Sequence, residues 1–490
     1  MTTSKKVRDR YNIEVRTFSE VLKIDRKQKE VEVKNHMTGE TYRESYDKII
    51  LAPGAEPIRP PLEGINCNNV FNLRNIPDSE HIKEYVRLNK PKGAVIVGGG
   101  FIGLEMAENL VVHGIETTIV ELLDQVMAPF DFEMASLLNT HLKEQGIHLE
   151  LNNGVEKILQ ESDQLIVKTK KGKDIKCDFA ILSIGVKPES RLAKEAGLEI
   201  GSLGGIKVDA GMRTSDPNIF AVGDAVEVRD FVTGLPTITP LAGPANKQGR
   251  IAADNALGRK EIFRGTLGTS IVKVFEMAAG STGMSEKTLK KHEIPYMVSY
   301  THSDSHASYY PGATMMAIKL IFQPANGKIL GAQIVGGEGV DKRIDVLATA
   351  ICNGMTVHDL EILELAYAPP YGSAKDPVNI AGYVASNLLK GDLETLHWNQ
   401  LPEIDHNEYV LIDLRNEDEL KTAGTIPEAI HIPLPELRSK LPELNKGKTY
   451  IPFCAAGLRG YIGYRILVQN GFSAQNLSGG FRTYIGTKEK

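Results

Sequence analysis

One stretch, Ala94 to Glu121, constrains this chain more than any other: it reads as strand, glycine turn, helix and second strand. The run Ala94-Val-Ile-Val-Gly98-Gly-Gly100-Phe-Ile-Gly103 sets a buried apolar strand before the glycines and good helix formers after them, and Thr117-Thr-Ile-Val-Glu121 closes the unit. In such a unit Gly98 allows the tight turn, Gly100 lets backbone approach a pyrophosphate, and Gly103 packs helix against strand. Glu121 falls where a ribose diol would sit. The pattern predicts a dinucleotide site; a glycine-rich turn in a plain α/β domain is the bland alternative. An acid here accepts ribose hydroxyls and repels a 2′-phosphate, and no Arg or Lys directly follows it, so NADH is expected over NADPH.

A chain of 490 residues exceeds one ordinary core and predicts about three domains. Lysine and arginine number 57 against 62 acids, and a net charge of −5 argues against a nucleic-acid surface. Apolar runs are broken well short of the ~20 residues that a membrane span needs, so no membrane partner is expected. No secretion signal opens the chain. Cys67, Cys177, Cys352 and Cys454 show no paired or ligand-like spacing, which predicts a reducing cytoplasm and no metal site.

Alternating residues predict short strands over Asn12–Arg16 and Glu30–Lys34, and a buried strand over Tyr46–Leu51 that ends at Ala52-Pro-Gly54-Ala55. Gly146–Leu151, Gln164–Thr169 and Phe179–Ile184 read as further strands, the last ending at Gly185-Val-Lys-Pro, which implies a parallel sheet with a β-meander. Residues 265–389 put strands first and helices later, an α+β order. Lys390–Thr395 reads as a linker, expected to let a final small α/β domain beginning near His397 approach the rest.

Two more constellations carry chemistry. Thr214-Ser-Asp-Pro-Asn-Ile-Phe-Ala-Val-Gly223-Asp224 delivers a glycine and an acid at a strand end, where open sheets bind ligands and a carboxylate can accept from a polyol. The helix opening at Pro240-Leu-Ala242-Gly-Pro has free amides that suit the electron-rich edge of a flavin ring, with Asp224 on the ribityl chain. In the final domain, Val410-Leu-Ile-Asp-Leu-Arg and Tyr450-Ile-Pro-Phe are buried strands, and Cys454-Ala-Ala-Gly-Leu-Arg459 follows the second. A loop of small residues can aim several amides at sulfur while a following helix and Arg459 add positive potential, which favours thiolate and persulfide at Cys454.

Taken in order, the Gly54 turn, the glycine fingerprint, the Gly185 strand end, the Asp224 strand and the C-terminal α+β unit resemble the flavin-dependent pyridine nucleotide-disulfide oxidoreductases. Tyr367-Ala-Pro-Pro-Tyr371, Lys375-Asp-Pro-Val-Asn and the appended rhodanese landmarks narrow the resemblance. They are similar to the coenzyme A disulfide reductases fused to rhodanese, a group that includes NADH-dependent persulfide reductases. The resemblance implies an α/β flavoprotein reductase with two dinucleotide-binding domains. Expected boundaries are 1–90 and 208–262 for a partial FAD domain, 91–207 for the NAD(P) domain, 263–390 for a dimerisation domain and 398–490 for rhodanese.

It further implies FAD and NADH as cofactors, a homodimer, and coenzyme A disulfide or a low-molecular-weight thiol persulfide as substrate. Tyr309 and Tyr367 would stand near the partner subunit's redox thiol, where a phenol can give a proton to a departing thiolate. Asn246 and Lys375 would contact the coenzyme A substrate or the flavin. The family's own opening glycine-rich βαβ unit and its Ser-Phe-x-x-Cys segment do not precede Met1-Thr-Thr-Ser-Lys-Lys, which resembles the stretch after that cysteine. The chain is therefore expected to start inside a flavin domain. Cys67, in Gly-Ile-Asn-Cys-Asn-Asn, reads as a bystander in a surface turn. The alternative from a different class is a flavin-free, rhodanese-type sulfur carrier on a nucleotide-binding scaffold.

Overall fold

A computed structural model describes residues 3–488. The chain divides into two compact units, residues 1–56 with 186–266, and residues 57–185 with 267–490.

The first unit contains an antiparallel sheet of Ser19–Asp25, Glu30–Asn35 and Thr41–Ser45. Val31 and Val33 point inward from its central strand, which is the period-2 burial that alternating apolar residues dictate. A short parallel pair, Ile49–Leu51 with Ile219–Ala221, brings Ala52 and Val222 to the same end of two adjacent strands. The helix Ala242–Ala256 buries Ala252 in the same core as Leu51, Phe220 and Val226. The strand expected at Asn12–Arg16 is absent. A helix runs over Ser4–Tyr11 instead, ends at Asn12 in the left-handed conformation, and leaves Ile13 exposed with no face to cover it.

Among the described residues the second unit holds five sheets, two of them small: an antiparallel meander of Val155–Glu161, Gln164–Thr169 and Asp174–Cys177, and a parallel pair of Thr395–Leu396 with Asn476–Leu477. A five-stranded parallel sheet runs Val70–Asn72, Phe179–Leu182, Gly93–Val97, Glu116–Val120, His148–Glu150. Its strands are apolar in succession, as both faces are covered, and Ile96, Leu104, Ile119, Leu138 and Phe179 are fully buried between sheet and helices. Residues 57–90 fall in the second unit with this sheet. Tyr85 of the helix Ile76–Asn89 packs on Phe71 and Phe179 at ring-centroid distances of 5.2 and 5.4 Å, and Val70–Asn72 pairs in register with Ala180–Leu182. At the other boundary, residues 186–207 fall in the first unit. The α+β part is an antiparallel sheet in the order Ser270–Val274, Met277–Gly283, Ile329–Gly336, Met315–Phe322, Met297–Asp304, followed by the helices Val340–Cys352, Val357–Ile362 and Pro377–Leu389. The last domain has a parallel sheet ordered Ile430–His431, Tyr409–Asp413, Thr449–Phe453, Ser473–Ala474.

A buried cation joins the nucleotide sheet to the antiparallel one. Lys319 Nζ lies 2.9 Å from Asp131 and 2.5 Å from Glu286 and also meets Glu133, whose other donor is the Tyr300 hydroxyl at 2.9 Å. The three carboxylates are close enough to hold a metal ion, but the Lys319 ammonium already lies among them. The last domain is docked, not swinging on a free linker as expected. Arg465 donates to Asp392 O and Oδ1 at 2.8 and 3.1 Å, Trp398 stacks near Phe132, and Thr483 bonds His302 at 2.9 Å.

This junction is expected to be acid-sensitive. Burial pushes His302 down to about 4, with Arg482 adding to the effect, and burial likewise lowers His397 to about 4 against the pull of Glu286. A depressed histidine contributes stability above its unfolded value, ~6.5, and loses it as pH falls toward the folded one. Denaturation midpoints are therefore expected to fall steeply between about pH 6.5 and 4, a loss of order 3 kcal/mol per histidine if both titrate in place. His302→Asn is expected to flatten that slope. A midpoint independent of pH in this window would contradict the assignment.

Candidate functional site

The dinucleotide turn has the expected shape. Gly98 has φ +104°, and a Cβ there would stand 2.5 Å from Ser183 O, so the position admits glycine alone. A Cβ on Gly103 would stand 2.1 Å from Gly98 O, the close helix–strand contact that its spacing implied. At Gly100 no atom lies within 4 Å of an added Cβ, so the backbone is open to a ligand on that face. Gly100 caps the helix Phe101–Val112 with no side-chain hydrogen bond, which leaves its first amides free for an anion. Glu121 Oε2 accepts from Gly99 N at 2.7 Å and Oε1 from Leu123 N at 2.9 Å, so the carboxylate is fixed at the end of the second strand, directly beside the glycine turn. Gly185, φ +103°, closes the neighbouring Phe179–Leu182 strand and accepts from Ile58 N at 3.0 Å.

In the first unit, Ala52, Gly54, Val222, Gly223, Asp224, Ala245, Asn246, Gly249 and Arg250 line a cleft of about 520 Å³. The parallel pair places Gly54 and Gly223, both with positive φ, at its floor, and Gln248 Oε1 accepts from Gly223 N at 2.7 Å. Burial raises the Asp224 carboxyl above its ordinary value. The helix beginning at Ala242 has Leu241 as N-cap and no side-chain cap, so its amides are free. A polyol-accepting acid, two glycines without side chains and a bare helix N-terminus fit the ribityl and ring portion of a flavin. Asn246 lines the cleft, although its amide also donates to Ala242 O at 2.8 Å.

Tyr309 and Tyr367 are brought together: the Tyr309 phenol is raised by a hydrogen bond to Tyr367. They are 76% and 50% exposed, so their hydroxyls are available to another subunit. Their loops are tied by Ala307 N donating to Gly372 O at 3.0 Å. Lys375 lies exposed on the second of these loops, in the second unit, whereas Asn246 is in the first.

Cys454 ends the Thr449–Phe453 strand and is buried, with its sulfur 3.2 Å from the donating Gly457 N. Gly457 has φ +117° and caps the helix Leu458–Gln469 without a side chain, so the turn and the open helix end both face the sulfur loop. Arg459 is clamped by Glu419, Nη1 and Nη2 donating to the two carboxylate oxygens at 2.6 and 2.7 Å. That pairing raises Arg459, with a further contribution from Cys454, and holds Glu419 down at about 2. Cys177 is a contrasting thiol: burial pushes it up to about 12, which leaves it protonated and inert. Sequence reasoning missed Glu419 and the Lys319 cluster. The only available signal for Glu419 was an acid four residues beyond Arg415 at the start of a helix.

A nucleotide-binding sheet, a second cleft at a strand end and a buried thiol that accepts from the Gly457 amide define a nucleotide-dependent oxidoreductase with a sulfur-handling appendage. The signature of the pyridine nucleotide-disulphide oxidoreductases matches residues 3–249, its dimerisation domain residues 269–376, and the rhodanese-like domain residues 400–486. The chain belongs to the pyridine nucleotide-disulphide oxidoreductase family. It is 37% identical to an NADH oxidase of Methanocaldococcus jannaschii over 77% of this chain and 83% of that protein. It is 35% identical to a coenzyme A disulfide reductase of Staphylococcus haemolyticus over 78% of this chain and 85% of that one. Among solved structures, it is similar to the reduced CoADR-RHD of Bacillus anthracis, with TM-score 0.97 and 48% identity over 100% of this chain and 87% of that one. An NAD-dependent persulfide reductase from A. fulgidus superposes with TM-score 0.92 at 38% identity, over 98% and 87%. The expected fold class, with its dimerisation and rhodanese parts, agrees with these matches. Among the described residues no helix is long and apolar enough to cross a membrane.

Proposed function

We propose that this chain reduces coenzyme A disulfide, or persulfides of coenzyme A and similar thiols, at the expense of NADH, and that its last domain carries sulfane sulfur on Cys454. The observation that supports this most directly is the coexistence in one unit of a fixed Glu121 at the glycine turn and a buried Cys454 whose sulfur accepts from the Gly457 amide. In this reading the free amides after Gly100 hold the pyrophosphate and Glu121 accepts the ribose hydroxyls. Gly54, Gly223, Asp224 and the Ala242 helix end hold the flavin's ribityl chain and ring edge. FAD, when bound, takes the hydride of NADH and supplies two electrons to sulfur.

Reducing a persulfide breaks its S–S bond and consumes two electrons and two protons, giving thiol and sulfide; a disulfide gives two thiols. The Tyr309–Tyr367 pair, reaching into a partner subunit in a homodimer, supplies a proton to the departing sulfur. Asn246 and Lys375 contact the flavin or the anionic part of the coenzyme. On the last domain, the Cys454 thiolate attacks a donor's sulfane sulfur. A new S–S bond forms at Cys454 and the donor leaves as thiolate or sulfite. The relatives do not favour a flavin-free sulfur carrier.

Anaerobic turnover with NADH is the test: release of sulfide from coenzyme A persulfide, or of thiol from coenzyme A disulfide, is expected, and the absence of both products would refute the proposal. Glu121→Ala is expected to weaken NADH binding by roughly 1 to 3 kcal/mol, since hydrogen bonds to two hydroxyls go. An unchanged KM for NADH, with no change in preference over NADPH, would retire Glu121 as the ribose acceptor.

A further inference from the structure

We propose that Glu419 is a positioning residue for sulfur transfer: its carboxylate locks Arg459 beside the Cys454 sulfur so that an anionic donor meets the guanidinium in one orientation. This rests on the reading of Cys454 as the sulfur acceptor. The pair is bidentate, at 2.6 and 2.7 Å, and both partners are about one-third exposed, so the fork is held from one side and open on the other. With both terminal nitrogens occupied by Glu419, the guanidinium cannot rotate freely, yet its charge still reaches Cys454.

Glu419 is itself on a pinned element. Its Oε2 accepts from Asn416 N at 3.0 Å, which caps the helix Glu417–Ala423 at its start. At the far end of that helix, buried Arg415 donates to Gly424 O at 2.7 Å. Arg415 is in turn fixed by a fork to Asp413 and by the Phe481 ring 4.0 Å beneath its guanidinium. Phe481 N donates to Cys454 O at 2.8 Å, so the same framework holds the sulfur loop from behind. A rigid path therefore runs from the strand end Asp413 through Glu419 to Arg459, and a second from Asp413 through Phe481 to Cys454. Arg459 and the thiol are held in register by two routes from one anchor.

Two effects of Glu419 predict opposite outcomes. If it merely neutralised the loop, removing its charge would strengthen the field at Cys454 and speed reaction with anions. If it positions Arg459, removal lets the guanidinium swing into solvent and slows that reaction. Glu419→Gln separates them, because an amide oxygen can still cap Asn416 N while the ionic fork is lost.

The test uses the full chain and Glu419→Gln, reading two quantities. The first is the ratio of Cys454 alkylation rates by iodoacetate and iodoacetamide, followed on the Cys454 peptide by mass. The second is transfer of sulfur from thiosulfate to cyanide. Positioning predicts a several-fold fall in the iodoacetate preference and a fall in kcat of about ten- to a hundredfold, with KM for thiosulfate unchanged or raised. A rise in the iodoacetate preference, or kcat within twofold of the parent, overturns the proposal. If the parent chain moves no sulfur but the alkylation ratio still falls in the variant, the sulfur-acceptor reading fails while the positioning of Arg459 stands.

Discussion

Cys454→Ser is expected to abolish transfer of sulfane sulfur, by at least about a thousandfold, while NADH oxidation by an artificial acceptor proceeds unchanged. A serine hydroxyl is not ionised at neutral pH, so the loop that stabilises a thiolate has no anion to act on. The Gly457 amide, 3.2 Å from the sulfur, and the open helix end beyond it would face a neutral oxygen of shorter reach. The nucleotide turn at Gly98–Gly103 lies on a different sheet with its own core, so its geometry is not expected to change. Thiosulfate–cyanide turnover and ferricyanide-coupled NADH oxidation, measured on the same preparation, check both halves. Concerted loss of the two activities would mean that the domains are not chemically separable.

Lys319→Met is expected to be the most destabilising single substitution, by about 3 to 5 kcal/mol. Burial alone would lower the Lys319 ammonium, but Tyr300, Glu133, Asp131 and Glu286 together hold it well above its ordinary range. Removing that charge leaves three carboxylates facing one another, Asp131 and Glu133 buried and Glu286 partly exposed, and an uncompensated buried charge is the costly case. A raised lysine contributes fully below its unfolded pKa and loses its contribution only as pH climbs through the folded value, so the defect is expected to be constant across neutral pH. Urea or thermal midpoints check it, with Glu133→Gln combined with Lys319→Met expected to cost less than the sum of the two. A midpoint within the error of the parent would show that the cluster is solvated and not structural.

How far the sequence disclosed this molecule follows from how local each signal is. Gly98 and Gly103 lie within one strand–helix–strand unit, and their tight turn and close helix–strand contact were readable because the spacing is local; that Glu121 also accepts from Gly99 N was not. Cys454 through Arg459 was readable for the same reason. Glu419, 40 residues from Arg459, and Lys319, 186 from Glu133, could not be paired by inspection, because only the folded sheets bring them together. Tyr309 and Tyr367 are also distant in sequence, and their association was reachable through family resemblance alone.

Local rules also misled. The alternation over Asn12–Arg16 suggested a strand, but the preceding helix and the left-handed Asn12 leave that segment without a sheet to join. The nucleotide unit begins well before its glycine signature, since Phe71 and Tyr85 are needed to cover Phe179. The segment before the last domain has a linker's composition and yet is fixed, because Asp392 and Glu394 are bonded by Arg465 and the Asn476 amide.

The central claim is that electrons pass from NADH through flavin to a sulfur–sulfur bond on this chain, and one anaerobic titration addresses it. The purified chain is supplied with FAD, freed of unbound cofactor, reduced with one equivalent of NADH and then mixed with coenzyme A persulfide while flavin absorbance is followed. A yellow protein that bleaches with NADH and regains its colour as sulfide appears is the predicted result. A protein that retains no flavin, or whose reduced flavin is not reoxidised by persulfide or by coenzyme A disulfide, would contradict it.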